Sequence, residues 1–185
     1  KKRFDSEYSG FGIRPKFPMM NYLLFLLHYY QYSGENEALN MVIETVKAIR
    51  CGGIYDQLAF GLHRYSTDRK WLIPHFEKML YDQALFIVVL TELYQITKED
   101  LYEDIAHEVI SYLKKEMLSD MGAFYTAEDA DSEGIEGKFY YWSKSEIKEV
   151  LAKKDADLAF EIYNILSDEE NTLNISPRES IFVSK

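Results

Sequence analysis

Apolar and polar positions along this chain alternate between two kinds of helical pattern. Residues 18–33 (PMMNYLLFLLHYYQYS) are apolar nearly all round, which predicts a helix buried on most faces. Residues 36–50 follow after a turn at Gly34. There Leu39, Val42, Ile43, Val46 and Ile49 recur at helical spacing with charge opposite, the pattern of an amphipathic partner. The pair then repeats. Residues 75–96 (HFEKMLYDQALFIVVLTELYQI) are again apolar round most of the circumference, and 99–117 are amphipathic through Leu101, Ile105, Val109, Tyr112, Leu113 and Met117. Thr97-x-x-Asp100 and Ser143-x-x-Glu146 are capping sequences that predict helix starts. The second opens a third region through Ile147, Val150 and Leu151, with a helical stretch near 157–166 as its partner. Three helical hairpins are thus predicted, at about 18–50, 75–117 and 143–166.

Each hairpin follows a long loop that sets glycine beside an aromatic: SGFGIRPKFP (9–18), GGIYD (52–56) and GAFYTAED (122–129). In an up-down series of helices every second connection lies at the same end, so these loops should gather on one rim. Inner helix, outer helix, long loop: the expected fold class is all-α, an α/α toroid. A closed ring of about twelve helices, with helices of about 12 residues and loops of about 5, takes well over roughly 200 residues. This chain of 185 residues supplies about half of such an (α/α)6 barrel. The expectation is a single helical domain over 1–185, cut from a longer chain. Its inner face would be open and unusually apolar for a surface, which invites self-association. A small β-hairpin is expected near 123–142, with 124–126 and 138–142 as its strands.

Charge and composition narrow the function classes. The net charge is −10 and no basic stripe is present, which argues against nucleic acid or an anionic membrane as partner. No apolar run approaches the roughly 20 residues of a membrane-spanning helix. A single cysteine, Cys51, excludes an internal disulfide and any CxxC motif, and suits a reducing compartment; the expected location is cytoplasmic. Aromatic residues make up 15 % of the chain, enough to supply both core and flat platforms for a sugar.

The candidate chemistry is concentrated in residues 52–84, GGIYDQLAFGLHRYSTDRKWLIPHFEKMLYDQA. His63 and His75 share this stretch, with Pro74 expected to place His75 at a helix start. Two histidines are what abstraction and return of a proton beside a carbonyl requires, the chemistry of sugar 2-epimerisation or aldose–ketose isomerisation. Glu77, Lys78, Tyr81 and Asp82 are expected on the first two turns of the inner helix. Lys78 and Asp82 would pair at i, i+4, and Glu77 and Asp82 would face the cavity as ligand residues. Asp56 and Arg64 join them as substrate-binding candidates, with Asp68 bracing the loop. Glu128, Asp129, Asp131, Glu133 and Glu136 crowd one acidic loop. Its DADSEG start copies half of an EF-hand, but Tyr140 occupies the twelfth position where a bidentate acid belongs, so a hairpin is expected and no metal is assigned. Asp129 and Asp131 are candidates for the paired carboxylates of a glycosidase instead. Tyr55, Trp71 and Tyr125 complete the set as stacking platforms. No cofactor is called for.

PHFEKMLYD, GAFYTAEDADSEGIEGKFYYW and SGFGIRPKFP resemble a family of thioredoxin-domain-containing, spermatogenesis-associated proteins, from about Ser9 to Ile147. That resemblance implies a thioredoxin-like domain, absent here, followed by an (α/α)6 barrel similar to N-acylglucosamine 2-epimerases and six-hairpin glycosidases. It also implies a partner: the thioredoxin-like domain of the same longer chain. Ala59 and Phe60 stand where the family usually has glycines, with Gly61 kept. The expected function is a carbohydrate-active or carbohydrate-binding region of sugar epimerase, isomerase or glycosidase type. The alternative is a non-catalytic interaction module.

Overall fold

The computed structural model describes residues 2–175; residue 1 and residues 176–185 of the expected domain lie outside the described residues. Helix α1 spans Met20–Ser33 and ends on Gly34 in the left-handed conformation (φ 73°), which glycine adopts without a Cβ penalty. Helix α2, Asn36–Cys51, is its antiparallel partner. Helix α3, Leu80–Thr97, and helix α4, Asp100–Tyr112, repeat the unit. A π-helical turn, Leu113–Met117, prolongs α4 and buries both Leu113 and Met117. Helix α1 packs on α3, while α2 covers α1 and α4 covers α3.

One core joins the four helices. Leu23 and Leu27 meet Val42, Val46 and Ile49 from α2, Phe86, Val89, Leu90 and Leu93 from α3, and Ile105 and Val109 from α4. Each such side chain contributes about 1.5–3 kcal/mol through burial. The inner helices, although apolar all round, do not bury every face. Phe25 and Tyr32 of α1 are 66 % and 92 % exposed, and Tyr81 and Val88 of α3 are also exposed. This is the open inner face of a toroid arc. His28 of α1 sits on it, 3.2 Å from Glu92 of α3.

The connections carry short strands: β1 (Tyr65–Ser66), β2 (Pro74–His75), β3 (Lys78–Met79), β4 (Ala127–Glu128), β5 (Asp131–Ser132), β6 (Ile135–Glu136), β7 (Tyr141–Trp142) and β8 (Asn171–Thr172). They pair antiparallel as β1–β2, β3–β4, β5–β6 and β7–β8. The expected hairpin is present at β5–β6, where Glu133 and Gly134 both take positive φ (54° and 77°), as a two-residue type I′ turn requires. The strands differ from those expected: 124–126 precede β4, and β4 pairs across to β3. Lys78 opposite Glu128 and Met79 opposite Ala127 thus tie the third loop to the second.

Two further differences have local causes. Helix α3 starts at Leu80, because residues 74–79 are drawn into ladders with β1 and β4; His75 therefore lies on a strand and not at a helix start. Thr97 does not cap α4: its hydroxyl donates to the Leu93 carbonyl inside α3. The Ser143–Glu146 box does form, and opens α5 (Lys144–Val150), which packs on α6 (Lys153–Ile162). These two short helices build a separate small core of Ile147, Ala156, Ile165 and Leu173.

Candidate functional site

The long loops do converge. The first meets the second through a backbone bridge between Lys16 and Ser66. Buried Lys16 donates to Asp5 at 3.1 Å, and Arg69 grips the same carboxylate at 2.7 and 2.8 Å. Trp71 is part of this staple. It is buried, adopts positive φ (68°), and its indole N–H donates to the Tyr8 carbonyl at 3.0 Å. The sequence reading of Trp71 as a sugar platform is thereby corrected. Tyr55 is corrected likewise: it is buried, with its hydroxyl donating to Glu108 at 2.7 Å. Asp68 braces its turn as expected, accepting from the Ile73 N–H at 2.6 Å.

Beneath the rim lies a buried ion pair. Lys78 donates to Asp56 at 2.8 Å and to the Phe60 carbonyl at 3.0 Å, so the expected Lys78–Asp82 pair does not form. The ammonium also lies 4.4 Å from the centre of the Tyr112 ring and 5.0 Å from that of Tyr140. Both tyrosine hydroxyls donate to Glu128, at 2.6 and 3.0 Å. Burial alone would raise the Asp56 carboxyl. Lys78 and the Leu58 and Ala59 N–H groups reverse that and hold it below the usual carboxylate range. Asp56 is thus a structural anchor and not a group free to meet substrate.

The two histidines part company. His63 is 1 % exposed, wedged edge-on against Phe76 and Tyr140, with Nδ1 3.0 Å from the Phe76 carbonyl. Burial, reinforced by the nearby Lys78 charge, pushes its pKa down to about 3, so the ring is neutral at pH 7. His75 is half-buried and stacks on Tyr65 (centroids 5.1 Å apart, planes at 22°). Its Nδ1–H donates to Glu136 at 2.6 Å, and Nε2 lies 3.8 Å from Glu77.

A compact polar cluster follows from His75. Glu77 accepts from Arg64 at 2.7 Å. Asp82, in the first turn of α3, is close enough to feel both charges. Burial raises its carboxyl to about 6 and Glu77 adds to the rise, while Arg64 opposes it. The Asp82 Oδ2 and Arg64 Nε atoms are buried with no hydrogen-bond partner among the described residues. Paired buried polar atoms are the rule, and exceptions of this kind mark sites where a ligand or water completes the set.

Four of the predicted residues, His75, Glu77, Arg64 and Asp82, therefore meet at the foot of an inner helix. Asp129 and Asp131 do not join them; both are exposed, and Asp129 turns back onto the Asp131 N–H. The acid that reaches His75 is Glu136, delivered by the register that sets it opposite Asp131. Tyr125 is exposed on the third loop. Glu136 stood in the acidic run without distinction. Only the pairing of β5 with β6, which the sequence does not encode in periodicity, singles it out.

Two layers of helices with their long loops gathered on the inner-helix N-terminal side define an α/α-toroid protein. Comparison with known proteins agrees. The chain is 42 % identical over 158 residues to mouse spermatogenesis-associated protein 20 and 39 % identical over 158 residues to its human counterpart. An uncharacterized protein of Caenorhabditis elegans is 36 % identical over 178 residues. The chain is a homologue of spermatogenesis-associated protein 20, and spans about 20 % of the length of those mammalian relatives. No protein-family model matches it. Among solved structures it is similar to a sugar epimerase from a ruminal bacterium (TM-score 0.62, 18 % identity, 79 % of this chain and 42 % of that one). It is also similar to cellobiose 2-epimerase from Bacillus thermoamylovorans (TM-score 0.61, 15 % identity, 88 % and 51 %). At such identities the likeness establishes the fold alone, an α/α toroid.

Proposed function

We propose that the chain contributes one wall of a carbohydrate site, at the cluster Arg64, His75, Glu77, Asp82 and Glu136, and that the chemistry is proton transfer beside a sugar carbonyl. The observation that carries this reading is the pair of buried atoms, Asp82 Oδ2 and Arg64 Nε, that have no partner among the described residues and lie next to a half-buried imidazole. Epimerisation at C2 needs a base to remove the proton next to the carbonyl and an acid to return it. A carboxyl raised to about 6 exchanges protons near neutrality. In this reading His75, oriented by Glu136, handles the C2 proton, and Asp82 serves the carbonyl oxygen. Arg64 holds a sugar hydroxyl.

The test is solvent deuterium incorporation at C2 of unphosphorylated aldoses and at C1 of the corresponding ketoses, followed by NMR. Incorporation that stops in both His75→Ala and Asp82→Asn supports the assignment. Absence of incorporation, or incorporation indifferent to both changes, overturns it.

The second reading, an interaction module, is favoured by the exposed Phe25, Tyr32 and Val88 on the inner helices. Such a face would be covered by a second copy of the chain, or by the thioredoxin-like domain that the family resemblance implies. Sedimentation of the isolated chain distinguishes these: a concentration-dependent dimer supports the second copy, and a monomer at all concentrations removes it.

A further inference from the structure

A sugar held at the rim needs more than polar partners. A pyranose with equatorial hydroxyls keeps a C–H face, which an aromatic side chain covers well. Ligand pockets, moreover, are lined mostly by apolar groups with a few polar ones placed among them. The cluster of Arg64, His75, Glu77, Asp82 and Glu136 is polar throughout, so its apolar wall has to come from a neighbour. The aromatics of the loops are engaged elsewhere. Trp71 and Tyr55 are buried. Tyr65 is stacked on His75 and packs against Phe17, the ring centres 4.9 Å apart. Tyr125 is exposed, but its backbone N–H donates to the Met117 carbonyl, which ties it to the turn that prolongs the outer helix.

Tyr81 is placed differently. It stands in the first turn of α3, one residue before Asp82, and is 49 % exposed. Tyr81, Ala84 and Val88 are all exposed and are spaced i, i+3, i+7, so they share one helix face, turned to the open inside of the arc. Side chains on a helix lean toward its N-terminus, which for α3 is the rim end. The Tyr81 ring therefore lies over the entrance and not over the floor. Ala84, one turn on, carries only a methyl group and leaves space beside the ring. The other end of the side chain is anchored: Glu77 and the Tyr81 hydroxyl both hold the Arg64 guanidinium in its charged form. This sets the ring beside Arg64 Nε and Asp82 Oδ2, the buried atoms with no partner among the described residues.

We propose that Tyr81 is the aromatic platform of the rim site, stacking on the C–H face of a neutral pyranose whose hydroxyls meet Arg64 and Asp82. This rests on the carbohydrate reading above and adds to it the residue that captures the closed sugar ring, before that ring opens to expose its carbonyl.

Thermal stabilisation by D-glucose and by D-mannose, titrated into the unaltered chain, Tyr81→Ala, Tyr81→Phe and Val88→Ala, tests this. Tyr81→Ala should need about tenfold more sugar for the same stabilisation, the size of effect that follows when a ligand no longer buries part of one aromatic side chain. Tyr81→Phe keeps the ring and should respond much as the unaltered chain does. Val88→Ala, on the same face two turns deeper, should be indistinguishable from it. An undiminished response in Tyr81→Ala overturns the platform and leaves the carbohydrate reading in place. Tyr81→Phe as weak as Tyr81→Ala also overturns it, since the hydroxyl on Arg64 would then be the part that matters. No response of the unaltered chain to either sugar removes the reading and the platform with it. Half of Tyr81 is already in water, so neither change at this position threatens folding.

Discussion

Lys78 donates to Asp56 at 2.8 Å in a pocket closed by the Tyr112 and Tyr140 rings. Both side chains are buried, and each is the other's counter-charge. The pair links the loop after α2 to the strand before α3, and through Glu128 to the third loop. It fixes the ground on which the rim cluster stands. Lys78→Met leaves a buried carboxylate without a partner and should cost about 3–5 kcal/mol, read from urea unfolding. Asp56→Asn with Lys78→Met should recover part of that loss. If the single change costs under about 1 kcal/mol, the pair does not organise the rim.

Asp82 makes a prediction of opposite sign. Its carboxyl is raised to about 6 from an ordinary value near 3.8. Between those values the folded state binds more protons than the unfolded state, so stability falls as pH rises through this window. Asp82→Asn removes the penalty and should stabilise the chain by on the order of 2 kcal/mol at pH 7.5, with little effect at pH 4. Thermal melts across pH 4–8 check this. A variant less stable at pH 7.5 would show that the carboxylate is satisfied and that no ligand is needed to complete it.

His63 titrates the other way. Its pKa is depressed to about 3, so the unfolded chain, with an ordinary histidine near 6.5, takes up the proton first. Its contribution is fully present above pH 6.5 and is lost as pH falls toward 3. The His63 ring proton shifts in NMR should stay those of neutral imidazole down to pH 5. A midpoint near 6.5 would mean that the ring is open to water.

Gly61 has φ 80°, and a Cβ there would come within 2.7 Å of the Tyr112 ring. Gly61→Ala should therefore cost about 1–3 kcal/mol and disturb the Tyr112–Glu128 bond. Neighbouring Phe60 also has positive φ, 69°, a conformation that favours glycine. The Phe60 ring packs on the core. Chemical denaturation of Gly61→Ala checks the first point; an unchanged midpoint contradicts it.

The inner and outer helices were legible because burial leaves a periodic mark on sequence: Val42, Val46 and Ile49 point inward for the same reason that they recur at helical spacing. The convergence of the loops was legible from topology. What could not be read was register. His75 looked like a helix start because Pro74 favours one, yet the β1–β2 and β3–β4 ladders claim residues 74–79 first. Lys78 looked like an i, i+4 partner of Asp82 because periodicity knows nothing of Asp56, 22 residues away. Trp71 looked like a platform because an aromatic in a loop gives no sign of being buried. Glu136 reaches His75, 61 residues away in the chain, from the far side of a two-residue turn that the sequence does not single out.

The central claim is that the rim cluster, which draws Glu136 from the acidic loop but neither Asp129 nor Asp131, meets a sugar. Titration of the chain with a panel of neutral hexoses and disaccharides, read as ligand-dependent thermal stabilisation, tests it most directly. The account predicts saturable stabilisation by at least one neutral sugar, lost in His75→Ala and in Arg64→Ala and retained in Asp131→Asn. Stabilisation that survives both rim changes but is lost in Asp131→Asn, or no response to any sugar, would contradict it.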